Sequence, residues 1–103
     1  MRNFFLSFFS VLLILSSTSC DKVRSSFELI KADTAYNQGQ FDKAIKIYER
    51  ALEGNPQNGE VQWKLGIAYY SKGDRDSVKK QEMKLRKLGE EKLAQDLEQL
   101  LEQ

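Results

Sequence analysis

Histidine is absent from this chain, and cysteine and proline each occur once, at Cys20 and Pro56. With no imidazole and a single thiol there is no donor set for a His/Cys metal site, no Ser–His or Cys–His nucleophile pair, and no internal disulfide. An excess of one charge is missing too: 16 basic residues face 15 acidic ones, and Arg2 is the one charged residue before Cys20. A nucleic-acid binder normally carries a basic excess or a basic face, because its affinity comes largely from phosphate neutralisation. Nothing here asks for that. The 103 residues leave room for one small domain. A cell-wall hydrolase working through paired carboxylates is disfavoured, because the acidic residues fall on helix positions that read as solvated. The chain is expected to be no enzyme and to need no cofactor and no metal.

One long apolar run is present, from Phe4 to Leu15, broken by Ser7 and Ser10. It follows Arg2 and precedes Ser16-Ser17-Thr18-Ser19, which is the order of a secretory signal: charged start, apolar centre, small-residue cleavage region. The run is short of the roughly 20 residues that span a bilayer. With Cys20 directly after it, residues 1–19 resemble a bacterial lipoprotein signal peptide, whose removal leaves a diacylated cysteine. The departure is at Ser17, where the usual lipobox has Leu; Leu15 stands two positions further back. The alternatives are a plain signal peptide leaving Cys20 as a free thiol, or an uncleaved anchor. The resemblance implies a palmitate-type anchor at Cys20, on the inner or outer membrane of a bacterial cell envelope, facing the periplasm. Residues 20–25 then form the lipidated Cys and a short tether. Asp21–Ser25 reach about 17 Å when extended, so the domain should lie against the membrane surface.

Beyond the tether the chain repeats with a period of about 34 residues. Ala32, Gly39, Phe41, Ala44, Tyr48, Ala51 and Pro56 mark the first copy, 25–58. Gly66, Gly73, Val78, Glu82 and Leu85 mark a degenerate second copy, 59–92. The segments WKLGIAYYSKGD and GQFDKAIKIYERALEGNP together carry the small, Gly, Ala, aromatic, Ala and Pro positions of the tetratricopeptide repeat, which this stretch resembles. The resemblance implies an all-α chain: a short right-handed α-α superhelix of about two helical hairpins over 26–88, followed by a C-terminal capping helix at 90–103.

The helices can be placed from their own signals. The first runs over about 26–37, with Phe27, Ile30 and Thr34 on one stripe and Leu29, Ala32 and Tyr36 on another. Glu28 and Lys31 stand where the repeat wants apolar residues, which suits an end unit with a polar outer side. Gly39 makes the turn to a second helix over about 41–53, whose Ala44 opposite Ala32 lets the backbones approach. Gly54-Asn55-Pro56 reads as a C-cap and stop. Asn58 caps a third helix over about 59–71, and Asp74 a fourth over about 74–88. In the fourth, Val78, Leu85 and Leu88 are the clear apolar positions, and Glu82 and Arg86 form an i,i+4 pair where the repeat wants an aromatic. Lys79–Lys87 reads as a solvated face. Leu93, Ala94, Leu97, Leu100 and Leu101 make the last helix amphipathic, as a cap or as a dimerising surface.

In this family the first helix of each repeat lines the concave surface. The resemblance therefore points to Leu29, Asp33, Tyr36 and Asn37 in the first copy, and Trp63, Ile67 and Tyr70 in the second, as a partner-binding groove. Aromatic and apolar residues of this kind make interface anchors. The alternative is that they are covered by the last helix or by each other. Asp33 stands where a carboxylate-gripping clamp would need a donor, so a C-terminal carboxylate is not the expected ligand. The implied function is a membrane-tethered adaptor for a protein or peptide partner. The alternative is a structural or surface-exposed lipoprotein without a groove ligand. Two repeats fall below the three or so that are comfortably stable alone, so a partner or self-association is expected.

Overall fold

A computed structural model describes residues 24–103, all helix and short turn. The segment 1–19 expected to be a signal, Cys20 and the first part of the expected tether lie outside the described residues. Five helices follow one another: α1 over 24–37, α2 Phe41–Gly54, α3 Gly59–Lys72, α4 Arg75–Lys87 and α5 Glu91–Glu102. Consecutive helices pack side by side, giving an all-α, TPR-like superhelical fold of two hairpins and a terminal helix. Among the described residues no helix is long and apolar enough to cross a membrane.

The turns form for the reasons their residues suggest, with one exception. Gly73 sits at φ +91°, a conformation that a side chain would penalise, and there its N–H donates to the Tyr70 carbonyl at 3.0 Å. Asp74 then caps α4, its carboxylate accepting from Ser77 N–H at 3.2 Å and from the Ser77 hydroxyl at 2.7 Å. Those bonds hold the Asp74 carboxyl below its ordinary pKa. Asn58 caps α3 through Val61 N–H at 3.2 Å. The exception is Gly54, which is the last residue of α2 and not its left-handed cap. The helix ends at Asn55, whose extended φ of −145° leads into Pro56.

Small residues set the spacing of the first core. Ala32 on α1 and Ala44 on α2 are both fully buried, so the two backbones come close, and Ile45, Tyr48, Val61, Leu65 and Ala68 fill the space against α3. The first helix begins by residue 24, two residues before the start expected from its pattern. Its outer face is also less polar than an end unit's: Phe27 and Ile30 are each 61 % exposed, and Lys31 lies 5.1 Å above the Phe27 ring.

A second core joins α3, α4 and α5. Val78, Leu85, Ala94 and Leu97 are fully buried, with Trp63, Ile67, Tyr70, Leu93, Leu100 and Leu101 packed around them. A β-carbon on Gly66 would lie 2.6 Å from Leu97 Cδ1, so α5 seats itself in a gap that only glycine leaves. The leucine stripe of α5 is thus used within the chain, as a cap.

Two polar features of α4 depart from a solvated face. Gln62 and Gln81 are buried and bond to each other through their side-chain amides. Glu82 is only 2 % exposed; its carboxylate meets Lys79 at 2.8 Å and Arg86 at 3.0 Å. Arg86 also reaches Glu98 at 2.7 Å and pairs with Glu91, so one guanidinium ties α4 to α5. Burial alone would raise the Glu82 pKa, but Lys79 and Arg86 outweigh it and the carboxyl lies below its ordinary value.

The two members of this pair differ in what their loss leaves behind. Removing Arg86 leaves the buried carboxylate with Lys79 alone and breaks the ionic tie to α5, whereas removing Glu82 leaves cations that already reach solvent. Arg86→Ala should therefore destabilise by about 1.5–3 kcal/mol in a urea titration, while Glu82→Leu should be near neutral. Because the folded pKa of Glu82 is depressed, its contribution is present above the unfolded value and is lost as pH falls through the folded one. Glu82→Leu should accordingly flatten the acid limb of the stability profile.

Candidate functional site

Along one side of the molecule α1 and α3 leave a cavity of about 300 Å³. From α1 it is lined by Asp33, Tyr36 and Asn37, one turn of helix facing the same way. From α3 come Trp63, Lys64 and Ile67, and Tyr48 of α2 forms the floor between them. The walls are mostly apolar and aromatic, with a polar rim.

Hydrogen bonds hold the aromatic side chains in place. The Tyr36 hydroxyl shares a 2.8 Å hydrogen bond with the Ser71 hydroxyl, tying α1 to α3, and its ring sits 5.3 Å from that of Phe41. The Trp63 indole N–H donates to Asp96 of α5 at 2.6 Å. Asp33 is held on both oxygens: the Tyr48 hydroxyl donates to one, and Lys64 pairs with the other at 2.9 Å. The charges at the rim therefore satisfy each other, and the walls are left to receive an apolar group. Burial, and then the bond to Asp33, push the Tyr48 hydroxyl pKa well up.

Five of the seven residues expected in a groove come together here: Asp33, Tyr36, Asn37, Trp63 and Ile67. Leu29 does not; it is half-buried against the first core. Nor does Tyr70, which packs into the second core. Trp63 belongs to both, since it lines the cavity and also packs on the cluster that α5 covers. The pattern missed Tyr48 and Lys64. Tyr48 is the repeat's internal aromatic, and its hydroxyl reaches through to the groove. Lys64 corresponds by the repeat shift to Ile30, one helical turn from Asp33, and that offset was the available signal. Among the described residues no group of three His, Cys, Asp or Glu could hold a metal ion.

Two tyrosines should ionise late. Burial, followed by a 2.6 Å bond to Glu49, pushes the Tyr69 pKa up from 10.0 to about 12, and Tyr48 is raised further. A phenol whose folded pKa exceeds its unfolded value contributes fully below pH 10 and loses that contribution as pH climbs towards 12. Near-ultraviolet titration should show these two phenolates appearing only as the fold opens. Tyr69→Phe and Tyr48→Phe should each remove one late step, and Tyr48→Phe should cost about 1 kcal/mol of stability at neutral pH.

Comparison with known proteins places this architecture. Residues 32–73, from the middle of α1 to the turn after α3, match the family model of the TPR repeat. Over 57 residues, 48 % of the chain, the sequence is 39 % identical to the BBSome complex member BBS4 of Mus musculus, covering 11 % of that protein. Over 66 residues, 64 % of the chain, it is 32 % identical to the motility hub protein FimV of Pseudomonas aeruginosa, covering 7 % of that protein. The chain thus spans about a tenth or less of the length of these relatives. The TPR match covers the α1–α3 segment from which the groove is built.

Proposed function

We propose that the chain is a membrane-tethered tetratricopeptide lipoprotein that holds a protein partner against a bacterial envelope membrane. The observation that carries this is the groove: about 300 Å³, walled by Tyr36, Trp63 and Ile67, with its rim charges already paired. Such a site takes an apolar or aromatic side chain of a peptide or of a helix face, because entry displaces water without leaving a charge unpaired. It offers no constellation for bond-making chemistry. Two relatives are by name a complex member and a hub protein, which supports a protein as the partner. The tether reading rests on Cys20 and the apolar run before it. Three residues separate Cys20 from the first described helical residue, Arg24, so an anchor there would keep the domain close to the bilayer.

A photo-crosslinking side chain at Asn37, on the groove rim, should capture one discrete protein in cells. Trp63→Ala should weaken that capture by roughly tenfold or more, the size of a lost aromatic anchor. Capture that persisted unchanged in Trp63→Ala would sink the groove assignment. The tether is tested separately: Cys20→Ser should abolish incorporation of a labelled fatty acid and release the chain from the membrane fraction. Label that remained in Cys20→Ser would remove the anchor from this residue.

A further inference from the structure

The opposite side of α3 has a second and larger cavity, of about 680 Å³. Trp63 and Ile67 face the first groove, whereas Leu65 and Tyr69 face this one, nearly half a turn of helix away. Its floor is apolar, formed by Leu52, Leu65 and Leu88. Its two walls carry opposite charge. Glu49 and Glu53 of α2 stand on one side; Lys80, Lys84 and Lys87 of α4, at i, i+4 and i+7, stand on the other. Among the described residues the α4 ion pairs run through Lys79 and Arg86 and not through these three lysines, and Glu53 is in none. Beside the lysine stripe, about 60° round the helix from Lys80, Met83 is 52 % exposed.

We propose that this face is a two-fold interface between two copies of the chain. The α4 ridge of each copy lies in the cavity of the other, with Met83 on the apolar floor and the lysines against Glu49 and Glu53. A cavity with one acidic and one basic wall is complementary to itself when turned by a two-fold axis, which is what an isologous interface requires. An anionic surface, whether lipid or nucleic acid, would meet the acidic wall as well as the basic one and is disfavoured. The exposed methionine gives the ridge the apolar tip that the floor lacks a cover for. Pairing through α2 and α4 leaves the groove between α1 and α3 open in both copies, so it does not depend on the proposed function.

The test uses two differently tagged copies of the full-length chain expressed in one cell, with a photo-crosslinker at Met83. The expected product has twice the mass of the chain and carries both tags. Glu49→Lys with Glu53→Lys makes both walls basic; Lys80→Glu with Lys84→Glu makes both acidic. Each set alone should reduce the product by at least about tenfold, since like charges then face each other. Co-expression of the two sets should restore it, because both contacts of the mixed pair become complementary. Glu49→Lys also removes the acceptor of Tyr69, so Glu53→Lys with Lys84→Glu in the partner copy repeats the exchange at exposed sites alone. Failure of the mixed pair to recover, adducts only to another protein, or adducts only to lipid would each overturn the proposal.

Discussion

Everything in this small domain depends on α3 being buried from two sides. A two-hairpin array has one helix that is interior, and here it is Gly59–Lys72. Val61, Leu65 and Ala68 belong to the core shared with α1 and α2, while Trp63, Ile67 and Tyr70 pack into the one shared with α4 and α5. Tyr69 touches both. Close packing at this density leaves no slack for volume changes, which is why Gly66 must stay small for Leu97 to seat. The two cores are coupled through one helix: α1 packs into the first and α5 into the second, and α3 belongs to both.

The second core is completed by charge where the first is completed by an aromatic. Tyr48 fills the space between α1, α2 and α3; at the corresponding place in the next repeat stands Glu82, equally buried. A buried carboxylate is tolerable only with its partners in place, and Lys79 and Arg86 supply them from the same helix. Arg86 then extends to Glu91 and Glu98. A lone aromatic would have offered packing without direction. The guanidinium instead fixes the azimuth of α5 as well as its contact, because a planar group bonding three carboxylates admits few arrangements. The worn-down repeat is thus specific in a way that an apolar one would not be.

Much of this was legible in the residues, and the failures share a cause. Helix order, the turns at Gly39 and Gly73, the caps at Asn58 and Asp74 and the close Ala32–Ala44 approach follow from local rules. Five of the residues that line the cavity are ones that the tetratricopeptide resemblance pointed to. What spacing does not carry is the neighbour across a crossing. Leu29 and Tyr70 have the correct periodicity, yet each lies where an adjacent core claims it. Lys64 and Asp33 are 31 residues apart and meet only because α1 and α3 lie side by side. Gly54 looked like a cap because Gly and Pro flank Asn55, but an extended Asn55 ends the helix without any left-handed residue. The burial of Glu82 was hidden because an ionised side chain is taken as solvated until its counter-ions are located in space.

The two sides of α3 also separate two kinds of surface. On the α1 side the rim charges are internally paired, Asp33 with Lys64, and the groove presents aromatic walls. On the α4 side the charges stand apart on opposite walls and the apolar floor is wide. Paired charges suit a site that must admit a foreign apolar side chain, since nothing is left unsatisfied when water leaves. Separated charges suit a site whose occupant brings the complementary pattern with it, since each wall then gains a partner and fixes the register. A side chain added to α3 on one side therefore need not be felt on the other, unless it moves the helix itself. That condition makes Tyr69, which packs in both cores, the residue through which the two surfaces would communicate.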